Sequence, residues 1–568
     1  MAELVDPLVV LPVEIILQIL EYAPVSAVLS LSGVSKAWNS FESRYQDAIY
    51  SSPSKVALPP GARRDPSWFQ SNSESIAKYF DGTASWKDLC KRQTRLERNW
   101  GEAYPTGSES FLQVGNDPIW RFRPDFKRRF FISTSQTGGL NVTCMDSGRL
   151  LWRLPSTLGN HEHAVRPYAH LEYQDGMAVF DSDGNTLEVW QTDQEDDPRG
   201  VFRQVALLDH PCQTRGFQLS HWTLCVVSNQ GQGFVYDMTQ RPPKLTTNIR
   251  IENGAVGHLD QSEDTVMFSM GKRGYHAYNK VSGEFIGALQ PSNCSERYHI
   301  HHPDVSHPSP ESLMAVASPG LAAPAVRLGA RLPTEPLEID KGPLPPMSPR
   351  ERALVGENTW GAGMLHGDLF AGYSRGGLVF VCSNWRKALE SQADLTANSY
   401  ILECESDWSR IRFDFGGWLS VHNHRIMFEI RERIYVIALD ANNRVQDSRA
   451  SYSVVASEIP ECDLPVSYMT LCDDAIMTTY TVCQVVSAYV LFCVLISSVC
   501  RSSAIEKRCQ NAVEALSLSI ALLYCRRKRS AYLIWHQRIS RPGMRFTVKI
   551  HLRHGMVCGI MESSARMR

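Results

Sequence analysis

At 568 residues, with 43% hydrophobic and 21% charged side chains, the chain has the composition of a soluble globular protein and room for two or three domains. Its net charge of −2 argues against a dedicated nucleic-acid binder, which would show a basic domain. Fifteen cysteines without CxxC pairs or metal-ligand spacing argue against a disulfide or zinc scaffold and predict reduced thiols in a cytoplasmic or nuclear protein. Glu3 and Asp6 precede the first apolar run, and Pro12 and Glu14 interrupt it, so no secretory signal is predicted.

Residues 11–41 read LPVEIILQILEYAPVSAVLSLSGVSKAWNSF. Pro12 suits the first position of a helix, where its missing N–H costs nothing. Ile15, Ile16, Ile19 and Leu20 recur at helical steps and give one apolar stripe of about two turns. Pro24 forces Ala23 out of the α region and ends that helix. A second short helix carries Val28, Leu29 and Leu31; Gly33 breaks it, and Val34, Trp38, Phe41 and Tyr45 step along a third. Three short helices bury little alone, so their apolar faces meet either the rest of the chain or another protein. The order of Leu11-Pro12, Glu14-Ile15, Ile19-Leu20 and Val34-Ser35-Lys36 with Trp38 resembles the F-box, the helical module that docks on a Skp-family adaptor. The resemblance implies adaptor binding through Leu11, Pro12, Glu14, Ile15, Ile19, Leu20, Leu29, Leu31, Val34, Ser35 and Trp38, and through the adaptor a link to a cullin.

Residues 51–75 are rich in Pro, Ser and Gly and predict a mobile loop. Residues 86–101, WKDLCKRQTRLERNWG, resemble the linker helix that follows the F-box in F-box proteins with WD-type propellers; Gly101 directly after Trp100 departs slightly from that pattern. Along a helix Trp86, Leu89 and Leu96 share a face, while Lys87, Lys91, Arg95 and Arg98 spread around the rest and read as a solvated basic surface.

From about residue 110, short strand-like runs alternate with turn residues, which favours an all-β architecture. Runs ending near Trp152, Trp190, Tyr236 and Tyr278 are spaced by 38, 46 and 42 residues, the period of propeller blades. Further units appear at Leu378–Val381 and Ile434–Ile437, and a seventh begins at Met469. The expected fold is multidomain: a small α-helical F-box over 1–50, a loop and linker helix over 51–110, and an all-β propeller-like domain of about seven degenerate blades over 111–481. The Gly-His and Trp-Asp marks of well-kept repeats are missing, and a β-sandwich array stays open as an alternative. Eleven prolines crowd residues 303–349, within a stretch of about 290–358 whose composition predicts a disordered insertion. His299, His301, His302, His307 and Asp304 at its start are read as a His-rich loop and not as a metal site.

The tail differs. From Val482 onward 14 Lys+Arg face 3 Asp+Glu, and Val482–Cys500 is an uncharged run of 19 residues, just long enough to span a bilayer. Three accounts stay open for 482–568: a membrane anchor, a translated intron or shifted frame that cuts off the seventh blade, and an unusual folded region. No nucleophile elbow, phosphate-binding loop or zinc-protease motif is present, so no catalytic residue, cofactor or metal is nominated. Asp473-Asp474 is read as a turn. Arg153, Arg203, Arg250, Arg273, Arg410 and Arg412 are available for an acidic ligand, but no linear pattern says which share a face. The expectation is a non-catalytic substrate receptor of an SCF-type ubiquitin ligase with an unknown protein substrate. The alternatives are an F-box protein acting outside the ligase and a membrane-tethered propeller receptor.

Overall fold

The computed structural model describes residues 6–56, 65–102, 109–301 apart from 112–113, 115–117, 160–162, 183–184, 194–196 and 252–257, then 325–327, 334–342, 359–479 apart from 375, 405–417, 431–432, 447–449 and 456–467, and finally 532–534, 547–551 and 560–564. The chain divides into two compact units, Met1–Thr481 and Val482–Arg568.

The first unit opens with helices α1 (Pro7–Val10), α2 (Val13–Tyr22), α3 (Val25–Leu31) and α4 (Lys36–Tyr50). The boundaries follow from local chemistry. The Asp6 carboxylate accepts from Leu8 N at 3.0 Å and caps α1, a turn the apolar pattern did not announce. Pro12 and Pro24 stand immediately before α2 and α3, and the Ser35 hydroxyl accepts from Trp38 N at 3.2 Å to start α4. At the end of α2 the orphan carbonyls are taken by side chains: Lys55 Nζ donates to Glu21 O at 3.0 Å and also to Ala23 O, and Ser54 Oγ to Glu21 O at 2.6 Å. Within the expected loop of 51–75, Ser67–Asn72 forms α5, because Asp65 accepts from Ser67 N and supports the first turn. The linker helix α6 (Trp86–Trp100) is capped by Ser85, which accepts from Asp88 N at 3.2 Å, and ends at Gly101. Ile16, Leu20, Val28, Ile49, Leu89 and Cys90 are buried together, so α6 is part of the helical core as well as a spacer.

Blade 1 of the propeller consists of Ile119–Asp125, Phe130–Ser135, Leu140–Cys144 and Leu150–Leu154, paired in sequence and antiparallel. The next three sheets repeat this order over 171–209, 214–250 and 259–289. Blades 5 and 6 begin at Trp360 and Leu419 and carry extra outer strands. Among the described residues these six sheets are followed in the seventh place by a hairpin, Met469–Leu471 with Ile476–Thr478. The innermost strands neighbour one another around the ring. Tyr468 closes it by packing edge-on against Phe122 of blade 1, ring centroids 5.1 Å apart. The architecture is therefore a propeller and not a sandwich array. Its cores lie between blades: blades 1 and 2, 2 and 3, 3 and 4, 4 and 5, and 5 and 6 each bury one apolar layer between their sheets.

Two expectations change. The 38-residue spacing came from Trp152, which lies in the fourth strand of blade 1, whereas Trp190, Tyr236 and Tyr278 lie in third strands. The 290–358 stretch is not wholly a disordered insertion. Arg297–His301 pairs parallel to the last strand of blade 5, Ser399–Cys404, and Glu338–Lys341 pairs with Arg297–His301. Thr334–Pro336 pairs with Tyr452–Val455 of blade 6. Leu337, between them, is buried in the core shared by the two blades and donates its N–H to Ser451 O at 3.1 Å. Burial of Leu337 and Ile300 in a pre-existing core offsets the ordering cost that composition alone could not meet. His302, Asp304, His307, Arg410 and Arg412 lie outside the described residues, as does the Val482–Cys500 run.

In the second unit, Tyr532–Ile534, Thr547–His551 and Ile560–Ser564 form a three-stranded antiparallel sheet. No helix among the described residues is long and apolar enough to cross a membrane.

Candidate functional site

The apolar stripe of α2 splits when folded. A helix turns 100° per residue, so 15 and 19 share one line and 16 and 20 the next. Ile16 and Leu20 are each 3% exposed inside the helical core, whereas Ile15 is 42% and Ile19 54% exposed. Of the remaining residues named from sequence, Pro12, Glu14, Val34 and Ser35 are exposed, and Leu11, Leu29, Leu31 and Trp38 are half-buried against the core. Leu20 is thus a support and not a contact. Val9, Val10 and Tyr22 add exposed apolar surface that sequence reading did not single out. The signal for Val9 and Val10 was Asp6, whose capped turn lifts both into solvent.

Behind this surface α4 is held on α6. Glu42, buried, pairs with Lys87 Nζ at 2.7 Å, so this lysine is a structural anchor and not part of a solvated face. Arg92 likewise donates to Tyr79 O at 2.7 Å and Asp81 O at 3.1 Å. Burial, with Glu42 beside it, pushes the Tyr50 phenol well above its ordinary range, and burial raises the Cys90 thiol to about 11. Both stay protonated at neutral pH.

The helical unit is fastened to the propeller by Asp473 and Asp474, the pair read from sequence as a plain turn. The Asp474 carboxylate accepts from Ser75 Oγ (2.6 Å), Ile76 N (2.9 Å) and Ala77 N (3.0 Å). Asp473 accepts from Glu74 N at 2.8 Å, and its own N–H returns a bond to Glu74 O at 3.0 Å. Trp100, the last residue of α6, donates Nε1–H to Asp473 O at 2.8 Å and lies under the Arg425 guanidinium, 4.9 Å away. Arg129 of blade 1 donates to Ser75 O and Ile76 O, both at 2.8 Å. Burial raises the Asp473 carboxyl, but hydrogen bonds from His422 and from backbone N–H outweigh it and leave the group below its ordinary value. Carboxylates accepting several N–H bonds are the strong members of such a joint. These propeller groups sit where inner strands pass into second strands, so the helices dock on one face of the ring across blades 6, 7 and 1.

A description of the F-box-like domain matches residues 8–44. The chain carries an F-box-like domain. The match spans α1 to most of α4 and includes every residue named above for adaptor contact. No curated protein matches the chain. The β-propeller domain of Cps50 (Swd1) from Myceliophteria thermophila is similar at 8% identity over 58% of this chain and 86% of that one, with a TM-score of 0.36. The computationally designed Ika8 protein is similar at 11% identity over 66% of this chain and 100% of that one, TM-score 0.37. A structure of the Mitotic Checkpoint Complex is matched at 14% identity over 30% of this chain, TM-score 0.24, and the match spans 51% of that chain's length.

Among the described residues no group of three His, Cys, Asp or Glu side chains could hold a metal ion. The eight described cysteines are all unpaired and buried. Arg153, Arg203 and Arg250 lie on the outermost strands of three different blades, and Arg203 is taken up by Asp197, so these arginines do not converge.

Proposed function

We propose that this protein is the substrate-recognition subunit of an SCF-type cullin-RING ubiquitin ligase. The F-box-like domain binds a Skp-family adaptor and through it a cullin; the propeller holds a protein substrate. The chain is not itself an enzyme in this reading: it raises the local concentration of a substrate lysine near a thioester carried by another protein. The observation that carries the reading is the exposed apolar line of Ile15 and Ile19 on an F-box-like domain clamped to a propeller. Isolated large apolar side chains on a surface are ordinary, but several within one short helical module mark a protein-binding face. Burying each at an interface contributes about 1.5–3 kcal/mol.

Adaptor contact is assigned to Pro12, Glu14, Ile15, Ile19, Val34 and Ser35, with Leu11, Leu20, Leu29, Leu31 and Trp38 holding the helices that present them. The test is capture of adaptor and cullin by the full chain beside Leu11→Ala/Pro12→Ala and Ile15→Asp/Ile19→Asp variants, followed by reconstituted ubiquitin transfer. Capture by the parent chain alone supports the reading. Undiminished capture by both folded variants sinks it. Adaptor binding without any ubiquitin transfer favours the role outside the ligase.

A further inference from the structure

The helices dock where inner strands pass into second strands, so the start of each third strand and the end of each fourth lie on the opposite face of the ring. In blade 2 those strands are Thr186–Thr192 and Phe202–Asp209. Leu187 and Val189 are buried against blade 3, so the alternate residues Thr186, Glu188 and Trp190 face blade 1. The register sets Leu207 opposite Glu188 and Asp209 opposite Thr186, on the same side. Glu188 is 8% exposed. Its Oε2 accepts from Trp190 Nε1 at 2.9 Å and from Gln204 Nε2 at 3.1 Å. Its Oε1 has no hydrogen-bond partner among the described residues and is open to solvent. Glu42, Asp125, Glu172 and Glu403, also buried, are each paired with a cation (Lys87, Arg128, Arg123 and Arg297). Glu188 forms no ion pair among the described residues. Rings wall the cleft: the Trp190 centroid lies 5.6 Å from that of Trp152 in blade 1 and 5.8 Å from that of His163, in the segment joining the blades.

We propose that this cleft between blades 1 and 2 binds a lysine side chain of a protein partner, with the ammonium on Glu188 Oε1 and the methylene stem along Leu207 and the indole rings. The inference deepens the receptor reading and rests on it for calling that partner a substrate. A nearly buried carboxylate without a cation is costly, and a bound ammonium offsets that cost. Leu207, 56% exposed, offers apolar surface for the stem at the entrance.

The acceptor geometry selects lysine over arginine. A guanidinium fork makes its two parallel bonds to both oxygens of a carboxylate, and Oε2 of Glu188 already takes two N–H groups. An ammonium is a compact point charge that one open oxygen satisfies. A trimethylated lysine keeps the charge but has no N–H to donate. The cations near the cleft are engaged or turned away. Arg166 pairs with Asp181 and Arg203 with Asp197. Arg199, at the end of the cleft nearer the helices, donates to Cys144 Sγ at 3.0 Å. Arg153 alternates with Trp152 and Leu154 and so faces away from blade 2. At the rim Asp209 accepts from Thr186 Oγ1 at 2.7 Å and pairs with no cation among the described residues, so a second carboxylate draws a positive side chain to the entrance.

The experiment titrates fluorescein-labelled octapeptide pools against the purified full chain, with no adaptor present, by fluorescence anisotropy at low salt. The pools are amidated, otherwise uncharged, and carry lysine, arginine, trimethyllysine or norleucine at one central position. The lysine pool is expected to bind at least tenfold tighter than the norleucine pool, and tighter than the other two. Glu188→Gln keeps an oxygen for Trp190 and Gln204 and removes the charge; it is expected to abolish the lysine preference with the melting temperature kept. Asp209→Asn, at the rim, is expected to weaken lysine binding about threefold. Leu207→Lys, at an exposed position, tethers an ammonium beside Glu188 and is expected to block the lysine pool; it decides if Glu188→Gln does not fold. No preference for lysine over norleucine, binding of none, equal or tighter binding of arginine or trimethyllysine, or a preference unchanged in the folded Glu188→Gln and Leu207→Lys variants overturns the proposal. Adaptor capture is measured on the same preparation. Capture without a lysine preference overturns this site alone, and lysine binding without capture overturns the receptor reading alone.

Discussion

The F-box-like domain and the propeller treat their apolar residues in opposite ways. The propeller buries them between blades, one layer for each neighbouring pair from blade 1 to blade 6. The F-box-like helices bury one line of α2 and leave the parallel line, one residue round, in solvent. A ring of blades completes its own core; a set of short helices does not, and the surface left open is where a partner is expected. The joint between them belongs to neither pattern, being made of carboxylates, backbone groups, Ser75, Arg129 and one tryptophan.

The strongest way to break this contrast is to attack a side chain shared by both regions. Trp100→Ala removes a ring buried among Met427, Val436 and Met469 and a hydrogen bond to the seventh hairpin. A loss of about 3–5 kcal/mol is expected in denaturant unfolding, with the helical unit released from the propeller. Substitution within α2 sharpens the contrast between its two faces. Ile16→Asp/Leu20→Asp should unfold the helices, while Ile15→Asp/Ile19→Asp should leave the melting temperature unchanged and cost about 2 kcal/mol or more per residue in adaptor affinity by calorimetry. Equal effects on both faces would show that the exposed line is not a docking surface.

Asp474→Ala leaves the Ser75, Ile76 and Ala77 donors without their acceptor. About 2 kcal/mol is expected at the joint, seen as faster hydrogen exchange at residues 74–77 with adaptor affinity retained. Acid should act in the same direction. The Asp473 carboxyl is depressed in the folded protein, so its contribution is present above the unfolded value of 3.8 and is lost as pH falls through the folded value. Exchange at the joint that does not accelerate below pH 4 would count against the clamp. The smallest effect is expected from Ser35→Ala, which removes the cap of α4 and costs about 1 kcal/mol in thermal unfolding.

Most of the helical unit was legible. The Leu-Pro step, the Ala23-Pro24 stop and the 86–101 pattern are local signals, and local backbone chemistry sets helix ends within a residue or two; the cap at Ser35, which puts Val34 outside α4, was not read. Which line of α2 faces out was not legible, because Ile15, Ile16, Ile19 and Leu20 are all apolar and only the position of α4 and α6 ranks them. The blade period was readable, but its phase was wrong at Trp152, since a fourth-strand aromatic looks the same as a third-strand one. The 290–358 stretch was misread in part because composition registers the ordering cost and is blind to a core that two other blades have already built.

The sequence by itself determined the order of the regions, the limits of α2 and α6, the propeller period and the change of character at Val482. Those features are written in residues near one another along the chain, through capping, proline and hydrophobic spacing. Only the tertiary structure decided that Asp473-Asp474 clamps residues 74–77, that Leu337 seals two blades, and that Arg121 meets Trp418 and Tyr468 where the ring closes. Each of these joins groups about 100 to 400 residues apart, and their pairing depends on the closure of the ring, which no local pattern encodes.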